Sequence, residues 1–412
     1  MQIRRVFLSA GEPSGDVVAA RLIHELRRHD PHIDVVGVGG PRMAEAGARI
    51  ANTTHHIGVV GVTEVVRTLP SVVGACRAIH RSLAHAVPDV AVLIGNDVFN
   101  VLLARWLRAR GIPTVSYFPP QVWMWRAFAG PFARSFDAIA TSFPEEHEVY
   151  ANANSRAAVS FVGHYLAHEL RPAGEDDRLA VRSALGLPRG PRVVGLLPGS
   201  RPNEVNSLGP ALIGAAVQLA AADPELRFLV APSDEAGGRA IAAMVARAPG
   251  ARIAMVPDSH AVMRSADLLL AASGTACLEA ALFATPMIIV YKISRLSNLI
   301  ARAGISLGLL RAYEIGIPNL LLGRSIVPEV LQEHATPVEI ANAARNLLSN
   351  ADRLQQMRID LTEIGRHLRG TDPIAHVAAI VIERCQQGRG RVKSTAPSRP
   401  VMTSPAGATE QE

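Results

Sequence analysis

The chain has 412 residues, of which 49% are hydrophobic and 19% are charged, and its net charge at pH 7 is +6. That length predicts two domains of ordinary size, and the composition excludes a disordered or acidic solvating protein. The sequence has no Lys/Arg stripe interleaved with aromatic residues, which argues against a nucleic-acid partner. The modest positive charge suits an anionic membrane surface or a phosphorylated substrate.

The cysteines and the apolar runs bear on the compartment. Cys76, Cys277 and Cys385 are far apart, which predicts no disulfide framework and favours a reducing cytoplasm. The longest apolar stretch, residues 280–291, is shorter than the roughly 20 residues that a membrane span needs. We therefore predict a cytoplasmic protein without a transmembrane helix, whose membrane contact is peripheral.

Short strands alternate with helices along most of the chain. In the first half, strands are predicted at 6–9, 34–37, 90–94, 114–117 and 138–141, with helices at 15–29 and 102–110. In the second half, strands are predicted at 193–197, 227–231, 253–256, 268–271 and 287–290, with helices after Glu204 and from Thr275. This alternation predicts parallel sheets with helices on both faces.

The predicted architecture is α/β, with two Rossmann-like doubly wound domains facing a cleft. A polar stretch with Pro and Gly at 170–192 looks like the connection between them. The predicted units are residues 1–170, residues 190–350, C-terminal helices at 351–385 and a disordered tail at 386–412. Ligands of such sheets bind at the carboxyl ends of the strands.

The segment SAGEPSGD joins the first strand to the first helix. Gly11 and Gly15 permit a tight turn, Glu12 lies in the bend, and Ser14 and Asp16 offer acceptors. Because a helix N-terminus exposes unpaired N–H groups, this loop could hold an anion or a sugar hydroxyl. The alternative is a plain turn in which Ser14 or Asp16 caps the helix.

The loop LPGSR has the composition of a diphosphate site. Gly199 lets backbone N–H groups approach a ligand, Ser200 can donate to a phosphate oxygen, and Arg201 can clamp a diphosphate. The alternative is an ordinary loop in which Arg201 is a solvated surface charge.

The segment ASGTACLE is the more specific signal. Ser273, Gly274 and Thr275 stand at a helix N-terminus and form a phosphate cradle, while Glu279 on the same helix face can bind two ribose hydroxyls. The alternative is a capped helix with Glu279 on a solvated face. Since no His, Cys, Asp or Glu cluster in the sequence has metal spacing, we predict no metal and no cofactor. If the protein is a metal-independent transferase of a nucleotide-sugar, Arg201 and helix N-termini would neutralise the diphosphate leaving group instead.

Aromatic and basic residues are dense at 117–134. This stretch holds two of the chain's three Trp and three of its ten Phe, together with Arg126 and Arg134. Such density suits an acyl-chain or membrane-surface contact, with Phe128 and Phe132 exposed. The alternative is an aromatic core cluster.

Taken in order, these segments resemble the lipid-A-disaccharide synthase family. The resemblance rests on the colinear blocks SAGEPSGD, VGGPRM, GVVGVTEV, PDVAVLIGNDVFN, GIPTVSYFPPQVWMWR, FVGH, LPGSR, AASGTACLEAALFATPM and PNLLLGRSIVPEVLQ, and it extends to about residue 385. It implies a two-lobed B-type glycosyltransferase that joins UDP-2,3-diacylglucosamine to 2,3-diacylglucosamine 1-phosphate with inversion. The implied partners are this UDP-sugar donor, the acylated sugar phosphate acceptor, the inner-membrane surface and a second copy of the chain in a homodimer.

The resemblance also implies roles for individual residues. The donor-side positions are Arg201, Ser273, Gly274, Thr275, Glu279 and Asn319, and the acceptor-side positions are Glu12, Ser14, Gly15, Asp16 and Asn100. Where the family carries a GIDAPDFN-like sequence with a candidate general base, this chain reads LIGNDVFN. Asp97 can serve as that base if the strand end shifts by one residue; otherwise Glu12 or Asp16 is the next candidate.

Two other interpretations use the same features. A different UDP-N-acetylglucosamine enzyme of this architecture, such as a 2-epimerase or the cell-wall lipid-linked transferase, would share the fold, although the latter should carry a GGTGGH-like first loop. A non-catalytic homologue that binds a UDP-sugar or an acyl lipid would share the sites.

Overall fold

The computed structural model describes residues 5–53, 74, 79, 87–95, 98–122, 126–292 and 315–394. Within these residues, two all-parallel sheets form two lobes, and helices cover their faces. The predicted α/β class with two Rossmann-like lobes is confirmed.

The described part of the first lobe contains seven strands. They are β1 Arg5–Ala10, β2 Asp34–Gly39, β3 Arg49–Thr53, β4 Val90–Ile94, β5 Thr114–Tyr117, β6 Ala138–Thr141 and β7 Ala158–Phe161. Their spatial order is β3-β2-β1-β4-β5-β6-β7. β4, β5 and β6 are buried along their whole length, because strands of a parallel sheet are covered on both faces. The edge strands β3 and β7 were not predicted.

Helices connect these strands. They are α1 Pro13–His29, α2 Pro41–Glu45, α3 Val98–Arg108, α4 Ala129–Ala133, α5 Pro144–Ala151 and α6 Tyr165–Glu169. α1 begins two residues before the predicted start, with Glu12 at the N-cap position and no side-chain cap. The alternative in which Ser14 or Asp16 caps this helix is therefore wrong.

The second lobe contains a six-stranded sheet. Its strands are β8 Val193–Leu197, β9 Arg227–Val230, β10 Ile253–Met255, β11 Leu268–Ala272, β12 Met287–Tyr291 and β13 Glu329–Leu331. Their order is β10-β9-β8-β11-β12-β13. The helices are α7 Glu175–Ala184, α8 Pro202–Ala222, α9 Glu235–Ala246, α10 Ser259–Ser265, α11 Thr275–Leu282 and α12 Ile317–Leu322.

The polar stretch predicted as a connection contains a helix of the second lobe. Arg182 on α7 donates from Nε to the carbonyl of Ser265 at 2.8 Å and from Nη2 to Oδ2 of Asp267 at 2.7 Å. These bonds attach α7 to the lobe that follows it, so the connection is shorter than the composition suggested.

Three helices complete the described chain: α13 Pro337–Leu348, α14 Ala351–His367 and α15 Pro373–Ser394. α14 packs against α11, whereas α15 returns to the first lobe and packs against α1, β4 and β5. The last helix also continues past the predicted boundary at residue 385. Among the described residues, α8 alone is long and apolar enough to cross a membrane, but it is mostly buried against α13 and α9.

The aromatic segment divides between core and surface. Phe132 is buried and its ring lies 4.8 Å from that of Phe136 and 5.5 Å from that of Tyr150, so the prediction that it is exposed is wrong. Phe128 is 61% exposed, as predicted. Trp123 and Trp125 lie outside the described residues.

Candidate active site

The loop after β1 supplies one side of a cleft between the lobes. Glu12, Ser14 and Gly15 line this cleft, and Thr275 lines it from the second lobe. Gly11 is buried where β1 ends. The carboxyl ends of the two sheets therefore meet at one site, as expected for doubly wound lobes.

Two predicted acceptor-side residues have their side chains bonded within the first lobe. Asp16 is buried, and its carboxylate accepts hydrogen bonds from the backbone N–H groups at residues 40, 42 and 43, at 2.9, 2.9 and 3.1 Å. Asn100 is also buried; its Oδ1 accepts from Oγ of Ser9 at 2.8 Å and its Nδ2 donates to the carbonyl of Ile94 at 3.1 Å. These bonds hold α2 to α1 and tie α3 to the ends of β1 and β4.

The strand end that carries the departure from the family is described only in part. Gly95 lines the cleft with φ +101°, a conformation that favours glycine, and its N–H donates to the carbonyl of Tyr117 at 3.0 Å. Asp97, the predicted general base, lies outside the described residues.

The loop after β8 is organised by one carboxylate. Glu204 accepts from the backbone N–H of Ser200 at 3.0 Å and of Arg201 at 3.2 Å. Gly199 has φ +107°, and a Cβ there would lie 2.5 Å from Oε2 of Glu204, so the turn requires glycine. Glu204 thus accepts hydrogen bonds from two backbone N–H groups that could otherwise donate to a phosphate oxygen.

The guanidinium group of Arg201 lies between one carboxylate from each lobe. Its side chain is 53% exposed; Nη1 lies 3.1 Å from Oε1 of Glu204, and Nη2 lies 3.7 Å from Oε1 of Glu12. The predicted diphosphate clamp and the predicted acceptor-side acid therefore face each other across the cleft.

The loop after β11 contains the second predicted phosphate-binding segment, Ser273 to Thr275. The N–H of Ser273 donates to the carbonyl of Val290 at 3.1 Å, and α11 begins at Thr275 after Gly274. Glu279 is 21% exposed, and its Oε2 lies 3.4 Å from Nε2 of His260. The structure thus adds a histidine partner that the sequence did not suggest.

His260 should make the stability of the second lobe depend on pH. The hydrogen bond with Glu279 raises the pKa of His260 above its ordinary value, although burial opposes the shift. A raised folded-state pKa gives stability that is complete below about pH 6.5 and is lost as pH rises through the folded-state pKa. We expect His260→Gln to lower the melting temperature more at pH 5.5 than at pH 8.5. The difference should correspond to about 0.5 kcal/mol, because the imidazole is 40% exposed.

Glu279→Gln provides the matched control for this dependence. It removes the anionic partner, so replacing His260 in that background should change the melting temperature equally at both pH values. A His260→Gln effect of the same size at pH 5.5 and pH 8.5 in the wild-type background would contradict the assignment.

Asn319 is fully buried and bonds to the segment that follows α12. Its Oδ1 accepts from the N–H groups of Ile326 and Val327, and its Nδ2 donates to the carbonyl of Val327 and to Glu329. Its bonding capacity is therefore used within the protein. These bonds hold the following segment against α12, whose first residue, Ile317, lines the cleft.

Other residues that line the cleft were not named as site residues, although Phe118, Pro119 and Gln121 belong to the 117–134 stretch for which an acyl-chain or membrane-surface contact was predicted. The set comprises Val18, Ile94, Phe118, Pro119, Gln121, Phe143, Glu146, His164, Tyr165 and Leu278. The family block FVGH contains His164, and SYFPP contains Phe118 and Pro119. Glu146 has the sequence signature of an ordinary helix start.

The two parallel lobes with a ligand-sized cleft between the strand ends define a glycosyltransferase fold of the two-lobed B type. The 2-epimerase of Neisseria meningitidis bound to UDP-GlcNAc superposes with a TM-score of 0.58 at 12% identity, covering 93% of this chain and 100% of that one. The glycotransferase of kitacinnamycin gives 0.58 at 15% identity, with the same coverages. At these identities the likeness concerns the fold alone.

The chain belongs to the lipid-A-disaccharide synthetase family, whose model matches residues 6–372. It is 35% identical over 382 residues to the lipid-A-disaccharide synthase of Geobacter sulfurreducens, covering 92% of this chain and 97% of the relative. It is 37% identical over 359 residues to that of Neisseria meningitidis serogroup A, covering 86% and 91%. The predicted family and its hexosyltransferase class are confirmed, and the 2-epimerase alternative retains a likeness of fold only.

Proposed function

We propose that the inter-lobe cleft transfers the 2,3-diacylglucosaminyl group of UDP-2,3-diacylglucosamine to the 6-hydroxyl of 2,3-diacylglucosamine 1-phosphate. The observation that carries this assignment is the approach of Arg201 to Glu12 across the cleft, at 3.7 Å. A cation suited to a diphosphate and an acid suited to a hydroxyl proton thereby flank the same space.

On the donor side, the diphosphate lies against Arg201 and the amino end of α11 at Thr275. Both features carry positive charge, formal or partial, and both stabilise the UDP anion as it leaves. Glu279 accepts hydrogen bonds from the ribose hydroxyls. Arg201 then exchanges part of its pairing with Glu12 for the diphosphate, which releases the Glu12 carboxylate toward the acceptor.

On the acceptor side, the oxygen of the 6-hydroxyl attacks the anomeric carbon of the donor. Glu12 takes the proton of this hydroxyl as the attack occurs. The new C–O bond forms on the face opposite the leaving group, the bond to the UDP oxygen breaks, and configuration inverts. UDP departs with the bonding electrons. Asp97, the first candidate base predicted from the sequence, lies outside the described residues and stays a prediction.

Mass spectrometry of the product tests this assignment directly. Purified protein given synthetic donor and acceptor should form the β-1′,6-linked tetraacyl disaccharide 1-phosphate and one UDP per disaccharide. UDP binding without any disaccharide would overturn the proposal and favour a binding protein.

We also propose that the first lobe contacts the inner-membrane surface. Phe128 and Leu102 are about 60% exposed, and their segments are linked by a 3.1 Å bond from Arg105 Nε to Ser135 Oγ. Arg126 and Arg134 on the same segment as Phe128 suit anionic headgroups. The homodimer stays a prediction.

Replacing Phe128 by Ser should reduce co-sedimentation with anionic phospholipid vesicles several-fold, because an interfacial aromatic side chain is lost. Ile359, which is 51% exposed on α14, offers a matched control, and Ile359→Ser should sediment like wild type. Equal sedimentation of both variants and wild type would contradict the proposal that this surface contacts the membrane.

A further inference from the structure

One wall of the cleft is aromatic. Phe118, Phe143, His164 and Tyr165 line it together with Glu146, and we call these five residues the aromatic chamber. The ring of His164 lies 5.2 Å from Phe118, 5.4 Å from Phe143 and 5.2 Å from Tyr165. A nucleotide diphosphate and a sugar do not need so large an apolar wall, whereas an acyl chain does.

Further apolar side chains continue this wall around the cleft. Val18 and Ile94 come from the first lobe, and Leu278 and Ile317 from the second. Among the described residues, neither the aromatic chamber nor these four apolar positions include Lys or Arg. Arg201 lies beside Glu12, and Arg21, whose guanidinium carbon lies 4.8 Å from the ring centroid of Tyr165, pairs with Glu169. The lining therefore favours an apolar group with a neutral polar part.

Phe118 is held in the chamber by a disfavoured backbone conformation. Its φ is +55°, in the left-handed region that residues with a Cβ seldom adopt. Such strain persists where the surrounding structure requires it, and it concentrates at ligand sites. The strained backbone directs an aromatic ring, rather than a glycine, into the cleft.

Glu146 brings an unsatisfied polar atom to the same wall. The residue is 1% exposed in the first turn of α5, and its Oε2 is buried without a hydrogen-bond partner. Burial raises the pKa of this carboxyl well above its ordinary value, against the effect of backbone hydrogen bonds from Ser142 and Phe143. A buried carboxyl oxygen without a partner is costly unless a ligand satisfies it, and the neutral form that burial favours carries an O–H donor.

His164 offers a second neutral donor. Its Nδ1 accepts from the N–H of Leu166 at 3.3 Å, which assigns the ring hydrogen to Nε2. The residue is 5% exposed, and burial lowers its pKa to about 3, so the imidazole is neutral at pH 7. A neutral N–H suits a carbonyl oxygen better than a charged phosphate.

We propose that the aromatic chamber binds an acyl group of the acceptor sugar, with Glu146 and His164 donating to its carbonyl oxygens and Phe118 and Phe143 packing on its chain. The acceptor is assigned rather than the donor because the wall belongs to the first lobe, beside Glu12. This inference rests on the proposed function and adds a specificity determinant to it.

Calorimetric titration with 2,3-dihexanoylglucosamine 1-phosphate tests the chamber without turnover. Phe118→Gly removes the ring and relieves the backbone strain, and Glu146→Met removes the donor. Each should weaken binding of this acceptor about 10-fold, while UDP affinity stays within about twofold of wild type. Glu146→Gln, whose amide can donate from the same place, should bind the acceptor within about threefold of wild type. Glu148→Gln, an exposed change on the same helix, is the matched control.

Two further titrations distinguish binding of the acyl chains from binding of the sugar phosphate. Glucosamine 1-phosphate, which lacks acyl groups, should bind wild type and Phe118→Gly equally. Lengthening the acyl chains by one methylene should strengthen wild-type binding about two- to fourfold and should do so less in Phe118→Gly. If Glu146→Met fails to fold, Phe118→Gly and this chain-length series still decide the question.

The results distinguish the chamber from the overall function. Unchanged acceptor affinity in Phe118→Gly would overturn the chamber even if wild type forms disaccharide. A loss of UDP affinity alone, or an equal loss for glucosamine 1-phosphate, would overturn it as well. If acceptor binding is weaker in Phe118→Gly but wild type forms no disaccharide, the aromatic chamber is supported and the proposed transfer reaction is refuted.

Discussion

Replacing Glu12 by Gln should lower kcat by about 10²–10⁴-fold and leave UDP affinity nearly unchanged. That range is the usual contribution of a positioned general base, and the loss falls on kcat because the proton moves only in the transition state. Glu12 is the described acid that both lines the cleft and lies beside the predicted diphosphate clamp. Steady-state kinetics at saturating donor and acceptor, with calorimetric UDP binding, measures both quantities.

Three companion variants make this result specific. Glu45→Gln changes an exposed carboxylate on α2 and should match wild type. Asp16→Asn should lower the melting temperature, because that carboxylate accepts three backbone hydrogen bonds. Asp97→Asn tests the other candidate: a 10²–10⁴-fold loss there, with a mild effect of Glu12→Gln, would show that the base was assigned to the wrong acid.

Removing Arg201 or Glu279 should weaken UDP binding and the thermal stabilisation that UDP confers. Hydrogen bonds to charged groups contribute about 1.5–3 kcal/mol, so Arg201→Ala should raise the Kd of UDP about 10- to 100-fold. Glu279→Ala should raise it about 10-fold through the lost ribose contacts. Arg201→Lys should fall between wild type and Arg201→Ala, since an ammonium group cannot form the bidentate contact.

Arg239→Ala is the matched control for charge. Arg239 is 69% exposed on α9 and pairs with Glu235 of the same helix, so its loss removes one positive charge away from the cleft. UDP affinity that is unchanged in both Arg201→Ala and Glu279→Ala would refute the donor-site assignment, whatever the effect on turnover.

The strands that the sequence predicted are mostly central ones. β4 and β11 lie inside their sheets and read as apolar runs because helices cover both faces. β3, β7 and β13 were not predicted; each is an edge strand with one neighbour and is short or partly polar, although the fourth edge strand, β10, was predicted. Burial, which supplies the sequence signal, is weaker at an edge.

Residue type indicated the site loops better than it indicated the role of each side chain. Glu12 and Arg201 were predicted from their loops, and the cleft brings them together. Asp16, Asn100 and Asn319 match family positions, yet their side chains bond inside the lobes. A sequence pattern reports the chemistry a side chain can perform, and the folded backbone decides whether that chemistry is directed at a ligand or at the protein.

Local sequence was sufficient to predict the central strands of both lobes and the loops that follow β1, β8 and β11, since apolar runs and glycine-containing turns are encoded within a few residues. The return of α15 to the first lobe and the assembly of Phe118, Glu146 and His164 into one chamber were decided by tertiary structure alone. These residues are distant in sequence, and they meet only because parallel strands deliver their carboxyl ends to one edge of the sheet. Burial raises the pKa of Glu146 and lowers that of His164, so it favours the neutral form of both, a property of the assembled cleft and not of either residue type.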